Sequence, residues 1–323
     1  MDPAQFFSAS RVVIVAGKGG VGKTVVAGAL ARAASRYGIA STILEIEGRC
    51  SVAASFDAPA FGYDEVELVR GDKSAGRAPV RGRTITPDLA LVEYLEDHGL
   101  RRVARRMAAI GVLEVVATAT PGIKDLLVLG KVKQLEQTRR SDLLVLDAPA
   151  AGHALSFLDA ARVLHDTAKV GPIHHQAVEV LAMLRDPART QVMLVTLAEE
   201  TPINELIETA YRLEDQLRVS LGPVIVNGVL PALAGIDRDP TELIDTALFD
   251  ATDVPKAQLS SLRAAGRWWS TRYARQREEL ARLADALPLP QIELPQLFGP
   301  TIGAAESVEL SDALVRGVSQ LDG

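Results

Sequence analysis

The chain has 323 residues, of which 48% are hydrophobic and 24% are charged, a balance typical of a globular protein. Its formal net charge of -6 argues against a protein that binds nucleic acid or an anionic membrane surface. A single cysteine, Cys50, excludes an internal disulfide and a zinc site built from several thiolates of one chain.

Short β-branched runs alternate with helical patterns, which predicts an α/β fold with a mostly parallel sheet flanked by helices. The runs are almost continuously apolar, as is typical of strands buried on both faces. The predicted strands are Arg11–Ala16, Ser41–Ile46, Leu89–Tyr94, Asp142–Asp147, Gln191–Leu197, Pro223–Asn227 and Gln291–Leu294. Helices are predicted at Lys23–Arg36, from Thr201 to about Leu217, and over Glu306–Leu321.

Three stretches depart from this alternation. Residues 64–88 are rich in Gly, Arg and Pro, which predicts a long loop with room for an edge strand. Residues 95–137 and 241–287 are helix-forming, and we interpret them as helical insertions that form a subdomain on one side of the sheet. Because the chain has no internal repeat, low-complexity tract or flexible linker, we expect one domain over residues 1–323.

The membrane signals are absent from the sequence. No stretch is long and apolar enough to span a bilayer, and residues 1–7 lack the basic and apolar pattern of a secretory signal. We therefore expect a soluble protein, and the single cysteine fits a reducing cytoplasm.

The segment after the first predicted strand is rich in glycine. Residues 17–24 read G-K-G-G-V-G-K-T, which matches the phosphate-binding pattern G-x-x-x-x-G-K-[ST] between a strand and a helix. Glycines let the backbone wrap around an anion, and the helix adds its positive end. Lys23 is expected to reach the β- and γ-phosphates, and the Thr24 hydroxyl to bind Mg²⁺. The predicted nucleotide-binding residues of this loop are Gly17, Lys18, Gly19, Gly20, Val21, Gly22, Lys23 and Thr24. A glycine-rich turn without a ligand is the alternative, and it requires the whole octet to arise by chance.

Lys18 is a second lysine at the start of the loop. A loop that holds only its own chain's phosphate does not need it. The pattern K-G-G-x-G-K-T resembles the deviant Walker A loop of the MinD, ParA and ArsA group of ATPases. The resemblance implies that Lys18 acts in catalysis by reaching across a dimer interface to the second nucleotide. The alternative is a solvated charge on a loop.

A second motif begins with the apolar run L-L-V-L-D, which ends at Asp147. A carboxylate there is expected to serve magnesium, since the carboxyl end of the strand faces the phosphate loop. Together with residues 148–155, the run resembles the D-T-A-P-T-G-H-T-L switch of the ArsA-type anion-transporting ATPases. This family includes the eukaryotic ATPase that delivers tail-anchored membrane proteins. Asp147, Gly152 and His153 keep the motif's identities, whereas Pro149 is one place early. The resemblance implies a segment that moves with the γ-phosphate.

Two further positions extend the resemblance. Where the family usually has D-P-A-H, whose Asp orients the attacking water, this chain has Glu47 followed by Gly-Arg-Cys. Glu47 is thus expected to orient water or, alternatively, to be a surface carboxylate, and the change puts the rate of hydrolysis in question. Asn227 occupies the place of the family's adenine-reading Asn, and Pro295 lies in a segment that resembles the loop over the base. The other interpretation of Asn227 is a cap on its strand.

The resemblance implies an Mg-ATP-dependent dimeric ATPase switch with ATP and Mg²⁺ as cofactors. The expected assembly is a homodimer or a heterodimer with a related ATPase. It would handle a hydrophobic client or a membrane-protein partner, through which it would lie peripheral to the membrane. The family's arsenite-binding cysteines and zinc-binding C-x-x-C are absent, which disfavours an arsenite pump subunit and excludes a zinc-clipped dimer.

The apolar residues of the first insertion have two interpretations. In the targeting ATPase the corresponding region lines a groove for a client's hydrophobic helix, but the same pattern is typical of helices that simply pack on the sheet, which we favour. These residues are Leu113, Val115, Val116, Ile123, Leu126, Leu127, Val128, Leu129, Val132 and Leu135.

Two other functions stay open at this point. One is a weakly hydrolysing nucleotide-binding partner of a related ATPase in a heterodimer, which the departure at Glu47 favours. The other is an ATP-dependent biosynthetic ligase that phosphorylates a small carboxylate. A glutamine-hydrolysing domain would support the ligase, and Cys50 is the one thiol in the chain for that chemistry.

Overall fold

The computed structural model describes residues 1–46, 52–97, 99, 101–102, 122–233, 256–299 and 301–321. Its strands are β1 (Val12–Gly17), β2 (Ser41–Ile46), β3 (Val66–Val69), β4 (Val80–Ile85), β5 (Leu143–Ala150), β6 (Thr190–Leu197), β7 (Val224–Val229) and β8 (Gln291–Pro295). Its helices are α1 (Pro3–Ser8), α2 (Lys23–Arg36), α3 (Pro87–Asp97), α4 (Ile123–Thr138), α5 (Ala151–Thr167), α6 (Pro172–Arg185), α7 (Glu200–Arg212), α8 (Lys256–Ala286) and α9 (Ala304–Gln320). A 3₁₀ turn covers Val52–Phe56, and a π-helical turn, Leu213–Leu217, continues α7.

The named strands form one sheet in the order β3-β4-β2-β5-β1-β6-β7-β8. All neighbouring pairs are parallel except β3 with β4. This confirms the predicted fold class, a mostly parallel P-loop NTPase sheet flanked by helices. β1 lies between β5 and β6, with β2 to β5 on one side of it and β6 to β8 on the other. The carboxyl ends of these central strands border a ligand crevice.

Helices cover both faces of the sheet. On one face, α4 to α7 bury residues such as Leu126, Phe157 and Leu206 against the strands. On the other face, α2 and α9 pack on each other and on the sheet through Leu30 and Leu314. All six residues of β1 are buried, so the continuous apolar run is explained by two apolar environments.

The predicted strand at Leu89–Tyr94 is wrong, because this segment lies in α3. An apolar run of this length suits a buried strand and a helix equally well. Pro87 at the first helical position and Asp88 in the first turn are helix-start signals that favour the helix. The strand that pairs with β2 on this side of the sheet is instead β4.

The predicted loop over residues 64–88 contains both β3 and β4. β3 is the expected edge strand, whereas β4 pairs with β2 inside the sheet. The sequence V-R-G-R-T-I of β4 does not resemble a buried strand, because Gly and Arg interrupt it. Gly82 is needed there, since a Cβ atom would lie 2.8 Å from the Phe61 ring.

The helical insertions are helical where the structure describes them. Residues 123–138 form α4 and residues 256–286 form α8. The apolar side chains of α4 from Ile123 to Val132 are buried in the core, as we favoured, while Leu135 is partly buried against it. Leu113, Val115 and Val116 lie outside the described residues. In the described part of the chain, no helix is both long and apolar enough to cross a membrane.

Candidate functional site

The phosphate-loop sequence joins β1 to α2, with the helix bounds that were predicted. Gly17 packs so closely on β6 that a Cβ atom would lie 2.2 Å from the Val195 carbonyl oxygen. Gly22 has φ +92°, and a Cβ there would lie 2.3 Å from Asn227 Nδ2. At the exposed tip of the loop are Gly19 and Gly20. The fold therefore fixes both ends of the loop and leaves its tip open, as a backbone cradle for an anion requires.

Lys23 is the most buried charged residue of the loop, with 6% of its surface exposed. Its Nζ donates a hydrogen bond of 2.9 Å to the carbonyl oxygen of Lys18, so the ammonium group lies against the loop itself. A phosphate group in the loop offers a charged acceptor in place of this neutral one, and charge-assisted hydrogen bonds are the stronger kind. The position fits a lysine that serves terminal phosphates.

Thr24 and Asp147 lie together at the carboxyl end of the central strands. The hydroxyl Oγ1 of Thr24 donates a hydrogen bond of 2.6 Å to Asp147 Oδ2. Asp147 is fully buried on β5, which continues to Ala150 instead of ending at this residue. A hydroxyl and a carboxylate are oxygen donors of the kind that Mg²⁺ prefers, so the residues fit a magnesium site beside the phosphate loop.

Glu45 is a site residue that the sequence analysis missed. It lies opposite Asp147 in the register of β2 and β5, and only 1% of its surface is exposed. Its Oε1 accepts a hydrogen bond of 2.8 Å from the Val52 amide. Glu45 therefore adds a second buried carboxylate to the end of the sheet where Asp147 lies. The signal was a lone acidic residue inside the apolar run S-T-I-L-E-I.

Lys18 forms an ion pair within its own chain. Its Nζ donates a hydrogen bond of 2.6 Å to Glu205 Oε1 on α7, and the two side chains are 36% and 42% exposed. The sequence analysis did not find Glu205, because 187 residues separate the pair along the chain. Both groups remain accessible from solvent, so a partner molecule can compete for either.

Asn227 and Pro295 lie on the neighbouring strands β7 and β8, where Pro295 is opposite Val229. Asn227 Nδ2 donates a hydrogen bond of 2.9 Å to the Val21 carbonyl oxygen, which ties β7 to the phosphate loop. An Asn amide has two N–H groups and an acceptor oxygen, so this bond leaves donor and acceptor capacity for a base. The strand-cap interpretation does not describe this contact, since the amide braces the loop.

The segment after Asp147 runs from β5 directly into α5, whose first turn contains His153. Burial raises the pKa of the Asp125 carboxyl, and the electrostatic influence of His153 opposes this shift in part. Asp125 lies in the first turn of α4. The helix that contains His153 packs on the helix that contains Asp125, and the two side chains interact electrostatically.

One predicted catalytic residue cannot be placed. Glu47, with Gly48, Arg49 and Cys50, lies outside the described residues. The structure brings the other predicted residues to one edge of the sheet, at the carboxyl ends of β1, β5, β7 and β8.

Sequence comparison places this site among known proteins. The family description "Anion-transporting ATPase" matches residues 10–178. ATPase BagA from Mycobacterium tuberculosis is 32% identical over 96% of this chain and 94% of its own length. A putative arsenical pump-driving ATPase from Halobacterium salinarum is 25% identical over 69% of this chain and 36% of its own. ATPase get3 from Schizosaccharomyces japonicus is 26% identical over 51% of this chain and 50% of its own length.

Proposed function

The chain belongs to the ArsA family of anion-transporting ATPases, and from this premise we propose that it is a dimeric switch driven by Mg-ATP. The protein is an ATP-hydrolysing enzyme, as its family and its relatives named ATPase imply. Binding of ATP closes two chains on each other, and hydrolysis reopens them. The single observation that carries the proposal is the loop at residues 17–24, with its two lysines, placed against Asp147 and Asn227.

The loop residues Gly17 to Thr24 hold the phosphates in this proposal. Lys23 exchanges the Lys18 carbonyl for oxygens of the β- and γ-phosphates and stabilises the charge that develops on the transferred group. Magnesium would be held by the Thr24 hydroxyl and the Asp147 carboxylate, which are both oxygen donors. When bound, the ion neutralises negative charge on the phosphates.

The base is held at the other end of the site. Asn227 hydrogen-bonds the edge of adenine, and the segment at Pro295 lies over the ring. The contact of Asn227 with Val21 supports this role, because one side chain then links the base to the loop that holds the phosphates.

Lys18 acts in trans and Glu47 orients the attacking water. The ion pair of Lys18 with Glu205 leaves 36% of the lysine side chain exposed, on the same edge of the sheet as the phosphate loop. A partner that docks on this edge meets the ammonium directly. Positive charge supplied from a second chain stabilises phosphoryl-transfer transition states in other P-loop enzymes.

The client is proposed on family resemblance alone. We extend the proposal to a hydrophobic client or membrane-protein partner, which would place a cytoplasmic protein at a membrane periphery through that partner. One domain over residues 1–323 carries these activities. The buried side chains of α4 are not available to such a client without a rearrangement, because they fill the core.

The proposal is tested by measuring ATP turnover and mass in solution together. The purified chain is compared, with and without Mg-ATP, with the same chain copurified from its own cell. We expect a dimer mass that depends on nucleotide, and turnover that rises with protein concentration. A second chain of related mass with little turnover would favour the heterodimer, and an ATP-dependent phosphorylated product from a small carboxylate would favour the ligase.

A further inference from the structure

Lys18 is the meeting point of two contacts in the phosphate loop. Its carbonyl oxygen accepts the hydrogen bond from Lys23 Nζ, and its own Nζ donates to Glu205. Lys18 thus contacts Lys23, the lysine proposed to bind the chain's own nucleotide, and is itself bound by Glu205 of α7. Both contacts occupy ammonium groups that the proposed function assigns to phosphate oxygens.

We propose that Glu205 is a positioning residue that keeps Lys18 in its own chain until the nucleotide of a second chain takes over the ammonium group. This inference rests on the proposed function, since it presumes that Lys18 acts in trans. Glu205 and a phosphate oxygen are competing acceptors for the same Nζ atom, so dimer closure exchanges one anionic acceptor for another.

The strength of the contact suits such an exchange. Exposed ion pairs stabilise a protein only weakly, and this pair is 36% and 42% exposed. A nucleotide bears several negative charges on its phosphates, so it outcompetes a single carboxylate once the second chain is docked. The pair therefore shifts the concentration at which dimers form without blocking their formation.

The same helix supplies a matched control. Glu208, one turn further along α7, has a side chain that is 72% exposed and pairs with Arg212 of the same helix at 3.6 Å. This ion pair joins two residues of α7 and does not involve the phosphate loop. Glu208→Gln removes the same charge from the same helix as Glu205→Gln, so any general effect of charge on association appears in both variants.

The experiment measures association by sedimentation of the full chain, or of the complex that it forms with a copurified partner. A non-hydrolysable ATP analogue and Mg²⁺ are present throughout. We expect Glu205→Gln to lower the protein concentration at the dimerisation midpoint by about twofold to fivefold, as the loss of a weak competing pair predicts. Glu208→Gln should leave the midpoint at its original value, and Glu205→Asp should give an intermediate one.

Two further arms identify the route of the effect. In the Lys18→Ala background, Glu205→Gln should no longer shift the midpoint, because the carboxylate then has no lysine to hold. A shift that persists in this background, or an unchanged midpoint for Glu205→Gln alone, overturns the inference. If the unaltered chain never associates with nucleotide, alone or with a copurified partner, the proposed function fails as well, so the two failures are distinguishable.

Discussion

Thr24 Oγ1 lies 2.6 Å from Asp147 Oδ2, so the first residue after the phosphate-loop lysine touches the carboxylate of β5 across 123 residues of sequence. This hydrogen bond holds the two residues of the proposed magnesium site next to each other. It also aligns the start of α2 with the carboxyl end of β5.

Removing the Thr24 hydroxyl separates magnesium-dependent from magnesium-independent binding. We expect Thr24→Ala to weaken ATP binding about tenfold to a hundredfold in excess Mg²⁺, the loss of one hydrogen-bonding group to a charged partner. In EDTA the change should stay within about twofold, because the phosphates still meet the loop backbone. Fluorescent ATP analogues measure both affinities, and Thr24→Ser is the control. Equal losses with and without Mg²⁺ would show that Thr24 acts on the loop alone.

Asn227→Ala tests recognition of the base. We expect the affinity for ATP to fall about tenfold and the affinity for GTP to fall less, because a guanine edge does not match the amide. Part of the loss is common to both nucleotides, since the variant also removes the hydrogen bond to Val21. The ratio of the two dissociation constants isolates the base contact. An unchanged ratio would leave Asn227 with its bracing role only.

Lys18→Ala should slow ATP turnover far more than it weakens ATP binding. We expect turnover to fall about a hundredfold or more, as for other positive groups supplied in trans to phosphoryl transfer. Binding of ATP by the isolated chain should change by about twofold at most, because Lys23 and the loop backbone still hold the phosphates. Equal losses of both quantities would point to a role in cis.

Glu93 stabilises the contact between α3 and α4. Burial opposes its ionisation, but hydrogen bonds donated by Lys131 and by Tyr63 outweigh burial and lower the pKa of the carboxyl. Because the folded-state pKa lies below the unfolded one, the stabilisation is complete above the ordinary carboxyl pKa. It is lost as pH falls through the lowered value.

Glu93→Gln should therefore lower the free energy of unfolding by about 1 kcal/mol at neutral pH, a modest figure because the carboxylate is 37% exposed and screened. The difference should shrink as the pH is lowered into the acidic range. Urea unfolding at several pH values measures it, with Glu96→Gln on the same helix as the control. A difference that does not depend on pH would show that ionisation of Glu93 is irrelevant.

The sequence predicts most of the sheet and the phosphate loop because their signals are local. Within eight residues, the glycines indicate a loop that can wrap around an anion, and Lys23 and Thr24 indicate phosphate and magnesium binding. The buried strand β1 is recognised because its sequence is apolar throughout. Asp147 and Asn227 end the apolar runs of β5 and β7 in the sequence, so the edge where they meet could be inferred.

Other features depend on contacts between distant residues. β4 was missed because Gly82, which accommodates Phe61, looks like a loop residue in isolation. Glu205 belongs to the site only because folding brings α7 beside Lys18. Glu45 was visible as a charge in an apolar strand, but its place opposite Asp147 depends on the strand order β2-β5-β1.

The most direct test of the whole account mixes two inactive variants. Lys18→Ala keeps an intact loop but supplies no lysine to the second chain, whereas Lys23→Ala supplies Lys18 but cannot use its own loop. If two copies of this chain form the dimer and Lys18 acts in trans, the mixed dimer contains one complete site, and ATP turnover should recover well above the sum of the two separate variants. Turnover that stays at that sum, while mixed dimers are shown to form, would contradict the account.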